Sequence, residues 1–224
     1  MRITTLFVLW LGAATGFAGE TKTWNFDQDP SGGQPTGFLS ARTGRGPEGK
    51  WVIEAVPDAP SKPNAVKQAS SDDTSYRFPV LVATRPEVKD GAVAVRFRAI
   101  SGRVDQAGGL VWRYLDENNY YVVRANALED NVVLYKVEKG KRSSIAPKGT
   151  PPRTYGVGHE VPPQTWNSLR VTFQGPLFAV YFDGEKLFEV EDSTFTGEGK
   201  VGLWTKADSV TFFDDLELEI QSIQ

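Results

Sequence analysis

The chain has 224 residues, with 25 Lys and Arg against 28 Asp and Glu, and it has no cysteine. The lack of cysteine excludes disulfides, thiolate metal sites and thiol nucleophiles. The net charge of −3 gives no overall electrostatic reason to expect nucleic acid as a partner. A chain of this length can form one β-sandwich domain whose core needs no cross-links.

The first segment, Met1–Ala18, has the pattern of a secretory signal peptide. Arg2 supplies a positive charge, Leu6–Leu11 is a short apolar run, and Gly16-Phe-Ala18 has small residues where signal peptidase reads the chain. The apolar run is too short to span a bilayer. We therefore expect a secreted or periplasmic protein whose mature domain covers residues 19–224, with an uncleaved interfacial anchor as the alternative.

Short apolar or alternating segments separated by Gly, Pro, Asp and Asn follow the leader, as in a chain of β-strands. They are Trp51–Val56, Phe78–Ala83, Ala92–Ile100, Leu110–Leu115, Tyr120–Asn126 and Val132–Val137. The last three are joined by short polar turns and predict a meander. Lys141–Pro163 reads as one long irregular insertion.

The segment Trp166–Ile220 predicts four or five further strands with very short connections. Its strongest local signal is Asp183-Gly184, which accepts positive φ and therefore favours a type I′ hairpin turn. No stretch shows the 3.6-residue apolar period of a helix. The sequence thus predicts an all-β protein built as a two-sheet antiparallel β-sandwich.

Several of these strands resemble the concanavalin A-like lectin/glucanase jelly roll, in particular its laminin G-like and 3-keto-disaccharide hydrolase-type domains. The resemblance rests on Gly109-Leu-Val-Trp-Arg-Tyr, Asn119-Tyr-Tyr-Val-Val-Arg, Val180-Tyr-Phe-Asp-Gly184 and Phe213-Asp-Asp-Leu216. It implies glycan binding or processing outside the cytoplasm, on the concave face of one sheet.

Two departures from these families concern activity. Family 16 glucanases carry Glu-x-Asp-x-x-Glu, whereas Glu189-Val-Glu-Asp-Ser-Thr194 lacks the closing acid. The 3-keto-disaccharide hydrolase pattern has Asn-Ser-Gly before its central strand, where this chain has Gln106-Ala-Gly-Gly109.

The outward face of the meander is the predicted ligand site. Alternation directs three sets of residues to the core: Val93, Val95 and Phe97; Leu110, Trp112 and Tyr114; and Tyr121, Val123 and Ala125. The opposite parity displays Arg96, Arg98, Arg113, Tyr120, Arg124 and Asn126. Because neighbouring strands lie about 4.8 Å apart, we expect these side chains to form one patch.

Guanidinium groups bind carboxylates, sulfates or sugar hydroxyls, and a tyrosine ring can stack on a sugar. The leading hypothesis is therefore a carbohydrate-binding domain, with acidic glycans among its candidate ligands. We also expect that removing the exposed arginines barely lowers stability. The alternative is a scaffold or interaction domain whose arginines are neutralised by acids of the flanking loops.

The second functional alternative is a glycoside hydrolase of the 3-keto-disaccharide type. Glu189 and Glu191 lie two residues apart on a strand, so both face one side, as a carboxylate pair around a glycosidic bond requires. His159 lies in the irregular insertion and is the only histidine, which makes it a candidate general base. A solvated strand face is the simpler interpretation of the two glutamates.

Calcium is the only cofactor that the sequence suggests. Asp27 and Asp29 near the start and Asp214 and Asp215 near the end approach one another if the terminal strands pair. Clustered carboxylates with backbone carbonyls are the ligands that calcium prefers. Aspartates that cap turns are the alternative.

Overall fold

The computed structural model describes residues 19–221, and this range contains sixteen β-strands and no helix. The strands are β1 (Gly19–Trp24), β2 (Phe38–Gly44), β3 (Trp51–Ala55), β4 (Asn64–Gln68), β5 (Arg77–Ala83), β6 (Gly91–Ser101), β7 (Ala107–Asp116), β8 (Asn119–Asn126), β9 (Asn131–Glu138), β10 (Lys141–Ser144), β11 (Val157–Gly158), β12 (Asn167–Gln174), β13 (Leu177–Phe182), β14 (Glu185–Glu191), β15 (Lys200–Trp204) and β16 (Val210–Gln221).

The strands form two antiparallel sheets. Sheet A has the order β14-β13-β12-β6-β16-β4-β3, and β1 also pairs with β16. Sheet B has the order β10-β9-β8-β7-β15-β5-β2, and β11 also pairs with β9. The predicted two-sheet antiparallel β-sandwich of the jelly-roll type is confirmed.

The main core lies between the sheets and contains most of the residues that alternation directs there. Val93, Val95 and Phe97 of β6 face Leu110 and Trp112 of β7 and Tyr121, Val123 and Ala125 of β8 across the sandwich. Complete burial of a side chain of this size stabilises the fold by about 1.5 to 3 kcal/mol. The predicted inward set is confirmed except for Tyr114, which packs in another cluster.

Two hairpin turns have the expected backbone. Asp183 and Gly184 have φ of 46° and 84°, which confirms the predicted turn between β13 and β14. Lys139 and Gly140 have φ of 50° and 74° and return the chain into β10. The prediction of one irregular insertion over Lys141–Pro163 is therefore wrong, because β10 and β11 both pair with β9 inside it.

Sheet B is strongly curved, so that strands far apart in the sheet meet over its outer face. The hydroxyl of Thr43 on β2 lies 2.7 Å from the hydroxyl of Tyr120 on β8, although three strands separate β2 from β8 in the sheet. The curl encloses a second apolar cluster that includes Phe78, Tyr120, Tyr135 and Trp204. Trp204 fits there because residue 109 on the neighbouring strand is glycine. A Cβ atom at this position would lie 3.2 Å from the indole ring.

The predicted leader, Met1–Ala18, lies outside the described residues, so cleavage and export stay predictions. Within residues 19–221, no helix is long and apolar enough to cross a membrane.

Candidate functional site

The six predicted ligand contacts do not form one patch. Strand β6 pairs with β12 and β16 of sheet A, so Arg96 and Arg98 lie on sheet A. Arg113, Tyr120, Arg124 and Asn126 lie on sheet B. The prediction of a single arginine face is wrong, because it assumed that β6 and β7, which follow each other in sequence, are also neighbours in one sheet.

Arg98 packs on the outer face of sheet A between aromatic rings and an acid. Its Cζ lies 4.8 Å from the ring centre of Trp166 and 5.5 Å from that of Phe212. Its Nη1 donates to Asp58 at 2.6 Å. The neighbouring Arg96 donates to the carbonyl of Trp166 at 3.4 Å. Both guanidinium groups therefore have partners within the domain.

Arg113 is fully buried at one end of the sandwich. A bulge interrupts the pairing of β7 and β8 beyond Trp112, and Arg113 has φ of 46°. The bulge also shifts Tyr114 away from the core. The guanidinium donates to the carbonyls of Lys89, Gly175 and Phe195 and to Asp90 Oδ1, at 2.7 to 3.2 Å. Arg113 thus connects three segments and is not exposed, contrary to the prediction.

Tyr120, Arg124 and Asn126 lie on the predicted outward face, but that face is enclosed and all three are buried. The Tyr120 hydroxyl bonds to Thr43, and burial raises the pKa of Tyr120 to about 12. Arg124 donates to Glu129 at 2.7 Å and to the hydroxyls of Tyr135 and Tyr155 at 3.0 and 3.1 Å. The prediction that these three side chains are exposed is wrong.

A buried carboxylate, Asp105, completes the network around Arg124. It accepts a hydrogen bond from Asn126 at 3.3 Å, pairs with Lys206 at 2.6 Å and lies 3.9 Å from Arg124 Nη1. Burial raises the pKa of Asp105, and the charges of Arg124 and Lys206 lower it in part. Flanking-loop acids therefore neutralise Arg124, as the scaffold alternative predicts.

The least neutralised cation on this face is Arg142 of β10, which the sequence analysis did not single out. Its Cζ lies 4.5 Å from the ring centre of Phe78, 4.4 Å from that of Tyr135 and 5.6 Å from that of Trp204. Such cation–π contacts satisfy the charge only in part. Among residues 19–221, Arg142 Nη1 has no hydrogen-bond partner, and no carboxylate lies within salt-bridge distance.

Two more exposed tyrosines flank Arg142 and its rings. Tyr76 is 38% exposed, and its hydroxyl accepts from the backbone nitrogen of Arg142 at 3.0 Å. Tyr155 is 47% exposed, and its hydroxyl lies 2.5 Å from that of Tyr135. We call Arg142, Phe78, Tyr135, Trp204, Tyr76 and Tyr155 the arginine–aromatic cluster. Phe78, Tyr135 and Trp204 are buried, so the surface of the cluster consists of the rings of Tyr76 and Tyr155 and the half-buried Arg142.

One sequence signal leads to part of this cluster. Lys139-Gly140 is a turn dipeptide, and a two-residue turn requires a return strand in which Arg142 faces the same side as Tyr120 and Tyr135. The contact between Arg142 and Phe78 has no such signal, because it depends on the curl of sheet B.

The three catalytic candidates lie apart from this cluster. His159 packs its ring edge against Phe182 at 4.9 Å, and its backbone nitrogen donates to the carbonyl of Asp130. Glu189 accepts from Lys186 at 2.5 Å, which lowers the pKa of Glu189, and Glu191 lies 3.7 Å from Lys148. Both glutamates are paired with lysines, and the lowered pKa of Glu189 opposes a role as general acid at neutral pH.

Three of the four predicted calcium ligands accept hydrogen bonds from separate backbone groups. Asp27 accepts from the backbone nitrogen of Asn64, and Asp29 accepts from that of Thr36. Asp214 accepts from Ser61 and from the backbone nitrogen of Asp215. The terminal strands β1 and β16 do pair, as expected. Across residues 19–221, however, no three acidic or histidine side chains gather as metal ligands, so calcium binding stays a prediction.

Comparisons with known proteins identify the fold and no family. No family model matches the chain, and no curated protein matches it. Many solved structures are similar, among them the following three. The carbohydrate binding module CBM66 from Bacillus subtilis has a TM-score of 0.61 at 21% identity, over 81% of this chain and 95% of the other.

The other two are a cellulose induced protein, Cip1, and domain 4 of AbnA, an extracellular GH43 arabinanase from Geobacillus stearothermophilus, solved with arabinotriose. Cip1 has a TM-score of 0.58 at 12% identity, over 88% of this chain and 96% of the other. The AbnA domain has a TM-score of 0.54 at 12% identity, over 90% and 92%. At these identities the likeness shows a shared β-sandwich fold.

Proposed function

We propose that this domain binds a carbohydrate at the arginine–aromatic cluster. The observation that carries the proposal is Arg142, whose half-buried guanidinium stacks on aromatic rings, has no acidic partner in the described part of the chain and lies beside the exposed rings of Tyr76 and Tyr155. Rings pack against the C–H faces of a sugar, and a guanidinium donates hydrogen bonds to its oxygens. Binding sites of this kind combine apolar walls with a few placed polar groups.

The similar structures support the same function. One is named as a carbohydrate binding module, and another was solved with arabinotriose. This chain has the exposed rings of Tyr76 and Tyr155 on a similar β-sandwich. The predicted leader Met1–Ala18 supports a secreted or periplasmic location, where polysaccharides occur.

We further propose that the glycan is acidic. Arg142 has no acidic partner among residues 19–221, unlike Arg113, which pairs with Asp90, and Arg124, which pairs with Glu129. A sugar carboxylate or sulfate would supply the missing negative charge.

Hydrolysis of a 3-keto-disaccharide is the second proposal, and the sequence resemblance is its support. The positions of His159, Glu189 and Glu191 do not favour it, because each has other partners and none lies in the arginine–aromatic cluster. Turnover of a 3-keto-disaccharide by the wild type, lost in Glu189→Gln, would establish this activity. If neither binding nor turnover is detected, the remaining interpretation is a scaffold domain without a ligand.

The test is calorimetric titration with trigalacturonate and with a sulfated trisaccharide. We expect Arg142→Ala to weaken binding of at least one of them by about tenfold or more, since a hydrogen bond to a charged group contributes about 1.5 to 3 kcal/mol. Affinity should also fall as salt rises.

Arg103→Ala is the matched control, because this arginine is 85% exposed and pairs only with the exposed Asp73. It removes the same charge at a distant loop and should leave affinity unchanged. Equal affinity of wild type and Arg142→Ala, or no binding of either acidic probe, would contradict the proposal.

A further inference from the structure

A surface groove lies on sheet A, away from the arginine–aromatic cluster. Its volume is about 240 Å³, and it is lined by Thr172, Gln174, Leu177, Ala179, Tyr181 and Glu189. This volume is below the roughly 300 to 1,000 Å³ of sites for drug-sized ligands. The groove therefore has room for one sugar residue and not for a long chain.

The groove results from small side chains between larger ones on neighbouring strands. Ala179 of β13 pairs with Thr172 of β12 on one side and with Glu189 of β14 on the other. Tyr181 lies two residues along β13 and faces the same side, and Leu177 lies two residues in the other direction. Ala179 thus forms a floor, and the tyrosine ring and the leucine form two walls.

The charges around the groove are already paired. Glu189 accepts from Lys186 at 2.5 Å. Beyond Tyr181, Arg170 reaches across β6 and forms two hydrogen bonds to Glu219, at 2.6 and 3.0 Å. The groove therefore has no unpaired cation that would select an anion, in contrast to Arg142.

The remaining chemistry is that of a neutral sugar site. The half-buried ring of Tyr181 and the side chain of Leu177, which is 47% exposed, offer apolar surface for a C–H face. Thr172, Gln174 and Glu189 offer donors and acceptors for hydroxyl groups. We propose that the sheet A groove is a second binding site, which takes one residue of a neutral oligosaccharide independently of the arginine–aromatic cluster.

The experiment measures binding of arabinotriose, xylotriose and cellotriose, each alone at millimolar concentration, to the full domain by calorimetry. We expect at least one to bind, and Tyr181→Ala to weaken it by about tenfold, equivalent to about 1.4 kcal/mol. Ala179→Leu should have the same effect, because it fills the floor of the groove without removing any contact of the fold. Arg103→Ala, at an exposed loop position, is the control and should leave this affinity unchanged.

Three results would overturn the second site. The first is no binding of any of the three neutral trisaccharides to the wild type. The second is binding that survives both Tyr181→Ala and Ala179→Leu. The third is binding that is lost in Arg142→Ala and kept in both groove variants, which would assign the neutral sugar to the arginine–aromatic cluster. If only the acidic probes fail to bind, the proposed function is contradicted and the second site is not affected.

Discussion

Arg113 and Arg142 belong to the same sheet, but their guanidinium groups have opposite environments. Arg113 donates four hydrogen bonds to three carbonyls and one carboxylate and is fully buried. Arg142 stacks on rings, is half-buried and has an Nη1 without a partner in residues 19–221. Completed hydrogen bonding suits a structural role, whereas a half-buried guanidinium without an acidic partner suits contact with an anion.

The largest expected effect of this difference concerns stability. Arg113→Ala should lower the free energy of unfolding by about 3 to 5 kcal/mol, because it leaves Asp90 and three carbonyls without their donor. Denaturant unfolding measures this change. Arg113→Lys is the control that keeps the charge and loses the planar fork, and it should recover only part of the loss. If Arg113→Ala unfolded at the same denaturant midpoint as wild type, Arg113 would have no structural role.

A buried carboxylate for which no cation lies at salt-bridge distance within residues 19–221 extends the comparison to the opposite charge. Asp214 is fully buried, and burial together with the nearby Asp215 raises its pKa to about 6, although hydrogen bonds from Ser61 lower it in part. Since the folded pKa exceeds the ordinary value of 3.8, the folded state binds the proton more tightly. This contribution to stability is complete below about pH 4 and is lost as pH rises through 6.

The expected result is a stability difference between wild type and Asp214→Asn that changes by on the order of 2 kcal/mol between pH 4 and pH 7. The variant, which stays neutral, should gain relative to wild type at the higher pH. A difference that is constant with pH would mean that Asp214 has an ordinary pKa. Calcium provides a second arm: if it binds here, it should raise the melting temperature of wild type and not that of Asp214→Asn.

The smallest effect is expected at Arg142 itself. Arg142→Ala should change the free energy of unfolding by about 1 kcal/mol or less, because it removes cation–π contacts at a half-exposed position and no ion pair. Thermal unfolding of Arg142→Ala and Arg113→Ala under the same conditions compares the two losses of stability. A loss as large as that of Arg113→Ala would make Arg142 a structural residue and remove the distinction between the two arginines.

Local pattern predicted the strands and much of the core, because side-chain alternation depends only on the backbone of one strand. It placed Val95, Trp112 and Val123 correctly. The pattern failed at Arg113, where a bulge with positive φ changes the direction of the side chain. Bulges of this kind had no marker in the sequence.

The site was less predictable than the fold because it depends on contacts between distant segments. Sequence order suggested that Arg98 and Arg113 share a face, but β6 and β7 belong to different sheets. The meeting of Arg142 with Phe78 and Trp204 joins residues more than 60 positions apart. Residue type and spacing do not contain that information, and the curl of sheet B supplies it.

The position of β16 in sheet A has a consequence for the growing chain on the ribosome. This strand lies in the middle of the sheet and pairs with β6, β4 and β1, so residues 210–221 join strands that were synthesised much earlier. Until β16 has been made, sheet A remains in three separate parts: β1, β3 with β4, and β6 with β12, β13 and β14. Pairing over such sequence separations is slow to form, and β4 and β6 expose unpaired edges until then.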